Sequence, residues 1–262
     1  MQIFNDIDKW RSFRQQDLFN NQKIGLVPTM GNLHVGHESL IKRSLQDNDL
    51  TVVYIFVNRF QFNEPDDYAH YPRTLKEDIA TTEKLGIDFL LVPEDAQSLY
   101  PDNYRYKVTE TTLSQQMEGK HRPGHFDAVL TIVLKFLHLV KPNHVYFGEK
   151  DTQQLSLLQG MVDAFFIDTK VVACPTMRTP QGLALSSRNQ RLSVQQLKQA
   201  HLFPQLLQSD KGIEEIRREL TAQGFKVDYI EEVGARRYGA VHLGTVRLID
   251  NVEISKLGSE AT

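Results

Sequence analysis

Short apolar runs alternate along the chain with stretches whose apolar positions recur every three or four residues. Residues 24–27, 51–57, 88–93, 144–147 and 166–173 are runs rich in β-branched and aromatic side chains, the pattern of buried strands. Between them, Leu40, Ile41 and Leu45, then Leu75, Ile79 and Leu85, then residues 128–140 and 152–162 follow helical spacing. Ile7, Trp10 and Phe13, placed behind Asn5 and Asp6 as capping residues, predict an N-terminal helix. Strands that alternate with helices predict an α/β fold built on a doubly wound parallel sheet, whose strand ends carry ligands.

The pattern changes after Pro175. A glycine- and serine-bearing loop over 177–189 leads into helices near 194–207 and 212–223, a strand at 226–233 and two more strand candidates at 240–243 and 246–249. We therefore expect two domains, 1–175 with the parallel sheet and 176–262 as a smaller C-terminal α+β unit, hinged near 174–178. The polar middle of the first domain, 94–124, carries a possible short strand at 104–109 and a loop around Glu118 to Gly124.

Composition narrows the function classes. The 262 residues are 40% hydrophobic and 24% charged, ordinary for a globular protein with real cores. A formal charge of -3 leaves no basic footprint for nucleic acid. The single cysteine, Cys174, lies in an apolar run and reads as a buried strand thiol in a reducing compartment. The first residues lack a signal-peptide pattern, and no apolar run approaches a membrane span, so a cytoplasmic location is expected.

The chemistry gathers where strands are expected to end. Lys23-Ile-Gly-Leu-Val-Pro-Thr-Met-Gly-Asn-Leu-His34-Val-Gly-His37 reads as strand, glycine turn and helix start. Paired imidazoles beside the free N–H groups of a first helical turn describe a cradle for polyphosphate. Caps or surface groups are the bland reading of such histidines, and zinc is weaker still, since further ligands are lacking. Asn58 and Gln61 follow the next strand, where hydrogen bonding to a substrate competes with a buried turn amide. Gly148-Glu149-Lys150-Asp151 opens a helix bearing Gln153 and Gln154. Gly148 would admit a close ligand and Lys150 a phosphate, against the plain alternative of a solvated helix start. Ser186-Ser187-Arg188 offers hydroxyls and a guanidinium to phosphate oxygens. Glu118-Gly-x-x-Arg122-Pro-Gly-His125-Phe receives no catalytic step from spacing alone.

Together these blocks, with Tyr71-Pro-Arg-Thr74, Phe56-Val-Asn-x-x-Gln-Phe62 and Gly244-x-x-Arg-Leu-Ile-Asp-Asn251, resemble the pantoate–β-alanine ligases (pantothenate synthetases) of the His-x-Gly-His nucleotidyltransferase superfamily. The resemblance implies a Rossmann-like nucleotide domain with a small C-terminal lid, and a homodimer. It implies ATP and Mg2+, the metal held mainly through ATP phosphates with no protein metal site. It implies formation of pantoyl adenylate from ATP and pantoate, then displacement of AMP by β-alanine. By motif position, Met30, Gly31, Asn32, Leu33, His34, Val35, Gly36 and His37 should line ATP. Gly148, Glu149, Lys150, Asp151, Met177, Leu185, Ser186, Ser187 and Arg188 should join them, with His34, His37, Lys150 and Arg188 catalytic. Gln61, Gln154 and Asn58 should hold pantoate or β-alanine. This chain has Arg59-Phe60 where the family usually has Pro-Met, and Leu185 where it usually has Met. Another adenylyltransferase of the superfamily and a non-catalytic nucleotide-binding module are the competing expectations.

Overall fold

The computed structural model describes residues 1–254; residues 255–262, the end of the expected second domain, lie outside the described residues. The chain divides into two compact units, Met1–Glu149 with Gln153–Pro175, and Lys150–Thr152 with the chain from Thr176 onward.

In the first unit the elements are β1 (Gln2–Phe4), α1 (Ile7–Phe13), β2 (Ile24–Thr29), α2 (Val35–Asp47), β3 (Leu50–Ile55), α3 (Pro65–Ala69), α4 (Leu75–Leu85), β4 (Phe89–Leu91), α5 (Met117–His121), α6 (His125–Val140), β5 (His144–Gly148), α7 (Thr152–Ala164) and β6 (Lys170–Cys174). The sheet order is β1-β4-β3-β2-β5-β6, with every pairing parallel. The chain leaves β2 for β3 on one side and later returns to place β5 on the other. The β2/β5 boundary is therefore the switch point at which such sheets open a crevice. The α/β, doubly wound expectation holds.

A parallel strand buried on both faces needs apolar residues at nearly every position, and β3 runs from Thr51 to Ile55 without an exposed residue. One face packs Leu26, Val52, Tyr54 and Leu91 against Phe136, Val133 and Leu158. The other packs Val27, Val53 and Leu90 against Leu40, Ile41 and Ile87. Tyr54 stacks on Phe136 with ring centroids 3.8 Å apart. Trp10 is fully buried and donates its indole N–H to the Leu139 carbonyl at 2.8 Å, tying α1 to the end of α6.

Several expectations shift. Residues 104–109 form no strand: Tyr104 sits at φ +61 and stacks on Phe60 at 4.1 Å, while Tyr106 is exposed. The last parallel strand begins at Lys170, because Phe166 at φ +52 turns the chain first. Residues 117–121 are a short helix rather than a loop. Gly119 in that helix lies against the Ser114 carbonyl with no room for a Cβ.

The second unit contains α8 (Val194–Ala200), α9 (Leu202–Gln208), α10 (Ile213–Ala222) and the antiparallel meander β7 (Lys226–Val233), β8 (Arg236–Leu243) and β9 (Val246–Glu253). The helix expected over 194–207 is thus two, joined at His201. Phe203, Leu207, Ile216 and Leu220 pack on Ile230, Val241 and Leu248. Arg237 is buried, and it donates to the Leu207, Ser209 and Lys211 carbonyls at 2.8, 2.7 and 3.0 Å and to the Glu232 carboxylate. One guanidinium thus satisfies carbonyls left open where α9 ends.

Candidate active site

The turn after β2 is built from unusual backbone. Gly31 and Asn32 both lie in the left-handed region, at φ +79 and +52. A Cβ on Gly31 would stand 3.0 Å from the Asp78 carboxylate, so both angle and space call for glycine. Asp78, buried on α4, accepts the Asn32 and Leu33 N–H groups at 2.9 and 2.7 Å and the Thr74 hydroxyl at 3.2 Å. Two amides that turn geometry would leave open are thereby closed by one ion. Sequence reasoning misses Asp78. Its only signal is an acid four residues after Thr74, in a helix whose other buried residue is Thr82.

His34 is the N-cap of α2 and His37 its third residue, and the two form a reciprocal capping box. The Gly36 N–H donates to His34 Nδ1 at 3.1 Å, and the His34 N–H donates to His37 Nδ1 at 3.4 Å. The ring centroids are 4.1 Å apart. Because both Nδ1 atoms accept, each neutral ring carries its proton on Nε2. The cap and the expected chemical role are compatible: capping occupies one nitrogen of each ring and makes the other a donor.

At the end of β3, Gln61 reaches back to Met30, its Nε2 lying 3.0 Å from the thioether sulfur. Its backbone carbonyl accepts from Arg122 at 2.9 Å and from His125 Nδ1 at 2.8 Å, while Arg122 pairs with the buried Glu118 at 3.5 Å. The constellation that received no step from its spacing is therefore the frame that holds Gln61. Asn58 is 1% exposed; it accepts from the Tyr100 hydroxyl at 3.0 Å and donates to the Ala128 carbonyl at 3.4 Å. That is the arrangement of a buried turn amide. Burial raises the Tyr100 phenol well above its ordinary value, so it remains a donor to Asn58.

Of the adjacent glutamines on α7, Gln153 is buried. It donates to the Leu113 and Gln116 carbonyls at 2.8 and 2.9 Å and accepts the Glu118 N–H at 3.1 Å. Gln154 is half-buried. Gly148 and Glu149 stand where β5 ends. The turns bearing His34, Gln61 and Gly148 thus leave the C-terminal ends of β2, β3 and β5, three neighbouring strands.

The other expected residues lie in the second unit. Lys150 and Asp151 belong to a three-ten turn, with the ammonium 3.9 Å from the Asp151 carboxylate. The loop over 177–185 is a small hairpin. Leu185 N–H donates to the Met177 carbonyl at 2.9 Å, and Arg178 pairs with Ala184 across it. Ser186 then caps the turn that carries Ser187 and Arg188, accepting the Arg188 N–H at 3.3 Å. Among the described residues no group of three or more His, Cys, Asp or Glu could hold a metal ion.

A doubly wound parallel sheet with a histidine-capped helix after its central strand defines an α/β enzyme of the His-x-Gly-His nucleotidyltransferase class. Residues 2–253 match the family model for pantoate-beta-alanine ligase. A pantothenate synthetase of Legionella pneumophila (strain Corby) is 50% identical over 251 residues, covering 96% of this chain and 99% of the relative. One of Coxiella burnetii (strain RSA 331 / Henzerling II) is 48% identical over 254 residues, 97% of each chain. The crystal structure of pantoate-beta-alanine ligase from Francisella tularensis, complexed with beta-gamma ATP and beta-alanine, superposes with a TM-score of 0.93 at 43% identity and 97% coverage of both chains. Pantothenate synthetase from Thermus thermophilus gives 0.86 at 34% identity, covering 97% of this chain and 99% of that one. The chain belongs to the pantoate–β-alanine ligase family, and its activity is the joining of pantoate to β-alanine.

Proposed function

We propose that the chain works in two half-reactions, using ATP to activate pantoate and β-alanine to release it. The observation that carries this reading is the histidine capping box, which makes donors of two Nε2 atoms at the start of α2, after the central strand. The ligands of the Francisella tularensis relative, a beta-gamma ATP and β-alanine, support the same two substrates here.

Residues 30–37 line the nucleotide, joined by residues 148–151, Met177 and residues 185–188. Gln61 and Gln154 hold pantoate through neutral amide donors, and Asn58 holds the turn from which Gln61 projects. Gly148 fits such a role, since neither its backbone angle nor its packing among the described residues demands a glycine. Mg2+ fits a donor set made mainly of nucleotide phosphates, where it would offset phosphate charge.

In the first half-reaction a pantoate carboxylate oxygen attacks the α-phosphorus and the bond to the bridging oxygen of the β-phosphate breaks, releasing pyrophosphate. A carboxylate is ionised at neutral pH, so no base is required. The barrier is repulsion between two anions, which His34, His37, Lys150 and Arg188 lower by donating to phosphate oxygens as charge moves onto them. In the second, the free amine of β-alanine attacks the pantoyl carbonyl carbon, the acyl–phosphate bond breaks to release AMP, and the nitrogen gives up a proton to solvent to leave the amide. The amine must first lose the proton that its ammonium form carries near pH 7. To the smaller unit we assign the lid's task of keeping water from the acyl adenylate. A homodimer and a cytoplasmic location complete the proposal; no helix among the described residues is long and apolar enough to cross a membrane.

Separating the nucleotides after incubation with ATP, pantoate and β-alanine tests this reading. AMP equal in amount to the pantothenate formed is expected. A nucleotide retained on the final product would favour an adenylyltransferase, and bound ATP without turnover a binding module; the family match over residues 2–253 favours neither.

A further inference from the structure

Lys150 and the hairpin that leads to Arg188 are far apart in sequence, yet both are tied to adjacent residues near the end of β9, the hairpin through Arg178. Asn251 is 4% exposed, and both ends of its amide have partners. Nδ2 donates to the Lys150 carbonyl at 2.9 Å, while Oδ1 accepts from the Thr152 hydroxyl at 3.1 Å and from Arg236 at 2.5 Å. Arg236 is held in turn by Glu253 at 2.7 Å. One side chain thus grips the 150–152 segment at both ends, and that segment groups with the second unit although its neighbours on either side belong to the first.

Asp250 makes the companion contact. It is buried and takes Arg178 in a forked pair at 2.6 and 2.9 Å, and Arg178 also donates to the Gly182 carbonyl at 2.9 Å. Arg178 is therefore locked across the base of the hairpin that leads to Ser186 and Arg188. A forked guanidinium–carboxylate pair fixes direction as well as distance.

We propose that Asn251 is a positioning residue for Lys150, so that the end of β9 sets where that cation stands. This rests on the reading that Lys150 contacts phosphate. Lysine is a point charge on a flexible stem, and its ammonium can be placed only as well as its backbone is held. A misplacement of about 1 Å at a reacting centre costs roughly 100-fold in rate.

Asn251→Asp is the decisive variant, because it keeps the acceptor for Thr152 and Arg236 and removes the donor to Lys150. Pantoate-dependent pyrophosphate release in a single turnover is expected to slow about 10- to 100-fold, with KM for pantoate within about twofold. In a Lys150→Ala background the same change should cost nothing more, because the group it positions is gone. Asn251→Ser, uncharged and too short to reach, should give the same split if the aspartate lowers Tm. A rate within about twofold of wild type, or an equal loss in both backgrounds, would overturn the proposal. A Lys150→Ala enzyme with wild-type rate would instead overturn the role given to Lys150, and the clamp with it.

Discussion

The two units hold their functional groups by different means. In the first, the histidine turn is fixed by left-handed backbone, reciprocal caps within α2 and one buried carboxylate from α4. In the second, Lys150 and the hairpin that leads to Arg188 are fixed by side chains that arrive from β9, 72 positions beyond Arg178 and 101 beyond Lys150. The first arrangement depends on local geometry in which backbone and side chains change together. The second depends on long-range polar pairs, and it can be uncoupled from the chemistry one contact at a time.

The largest effect is expected from His37→Ala. It removes an Nε2–H donor and the acceptor of the His34 N–H together, and should lower pantoyl-adenylate formation about 100- to 1,000-fold, as loss of one preorganised donor does elsewhere. Single-turnover pyrophosphate release is the measurement, with nucleotide binding followed separately. A loss below about threefold would mean that the capping box is only a cap. A smaller and different effect is expected from Arg237→Ala. Removing a buried guanidinium leaves three carbonyls and Glu232 without it, which should destabilise by about 3 kcal/mol. Thermal unfolding should register that loss, while the rate per folded molecule stays within about twofold at low temperature. A lowered rate with unchanged Tm would erase the distinction between stability contacts and site contacts in the second unit.

What can be read from the chain follows the same division. Buried parallel strands announce themselves as continuous apolar runs, so β2 to β6 are legible, whereas β1 is three largely exposed residues at the sheet edge and leaves no pattern. The His-x-Gly-His turn is legible because strand, glycine and helix start are contiguous. Asp78 gives no comparable signal, because it acts on backbone groups remote in sequence and an isolated Asp carries no periodicity. Asn251 ends a recognisable block, but nothing in that block points to Lys150, 101 positions away. Gln153 and Gln154 are adjacent and alike in composition, and only their hydrogen bonds separate a framework residue from a candidate ligand. The Glu118–His125 segment likewise reads as a charged turn until the structure shows Gln61 in its grip.

Pyrophosphate release measured with ATP and pantoate, before any β-alanine is added, bears on the central claim most directly. The predicted result is a pantoate-dependent burst of pyrophosphate, about one per active site, with AMP appearing in solution only after β-alanine follows. Pyrophosphate that appears only once β-alanine is present would contradict it.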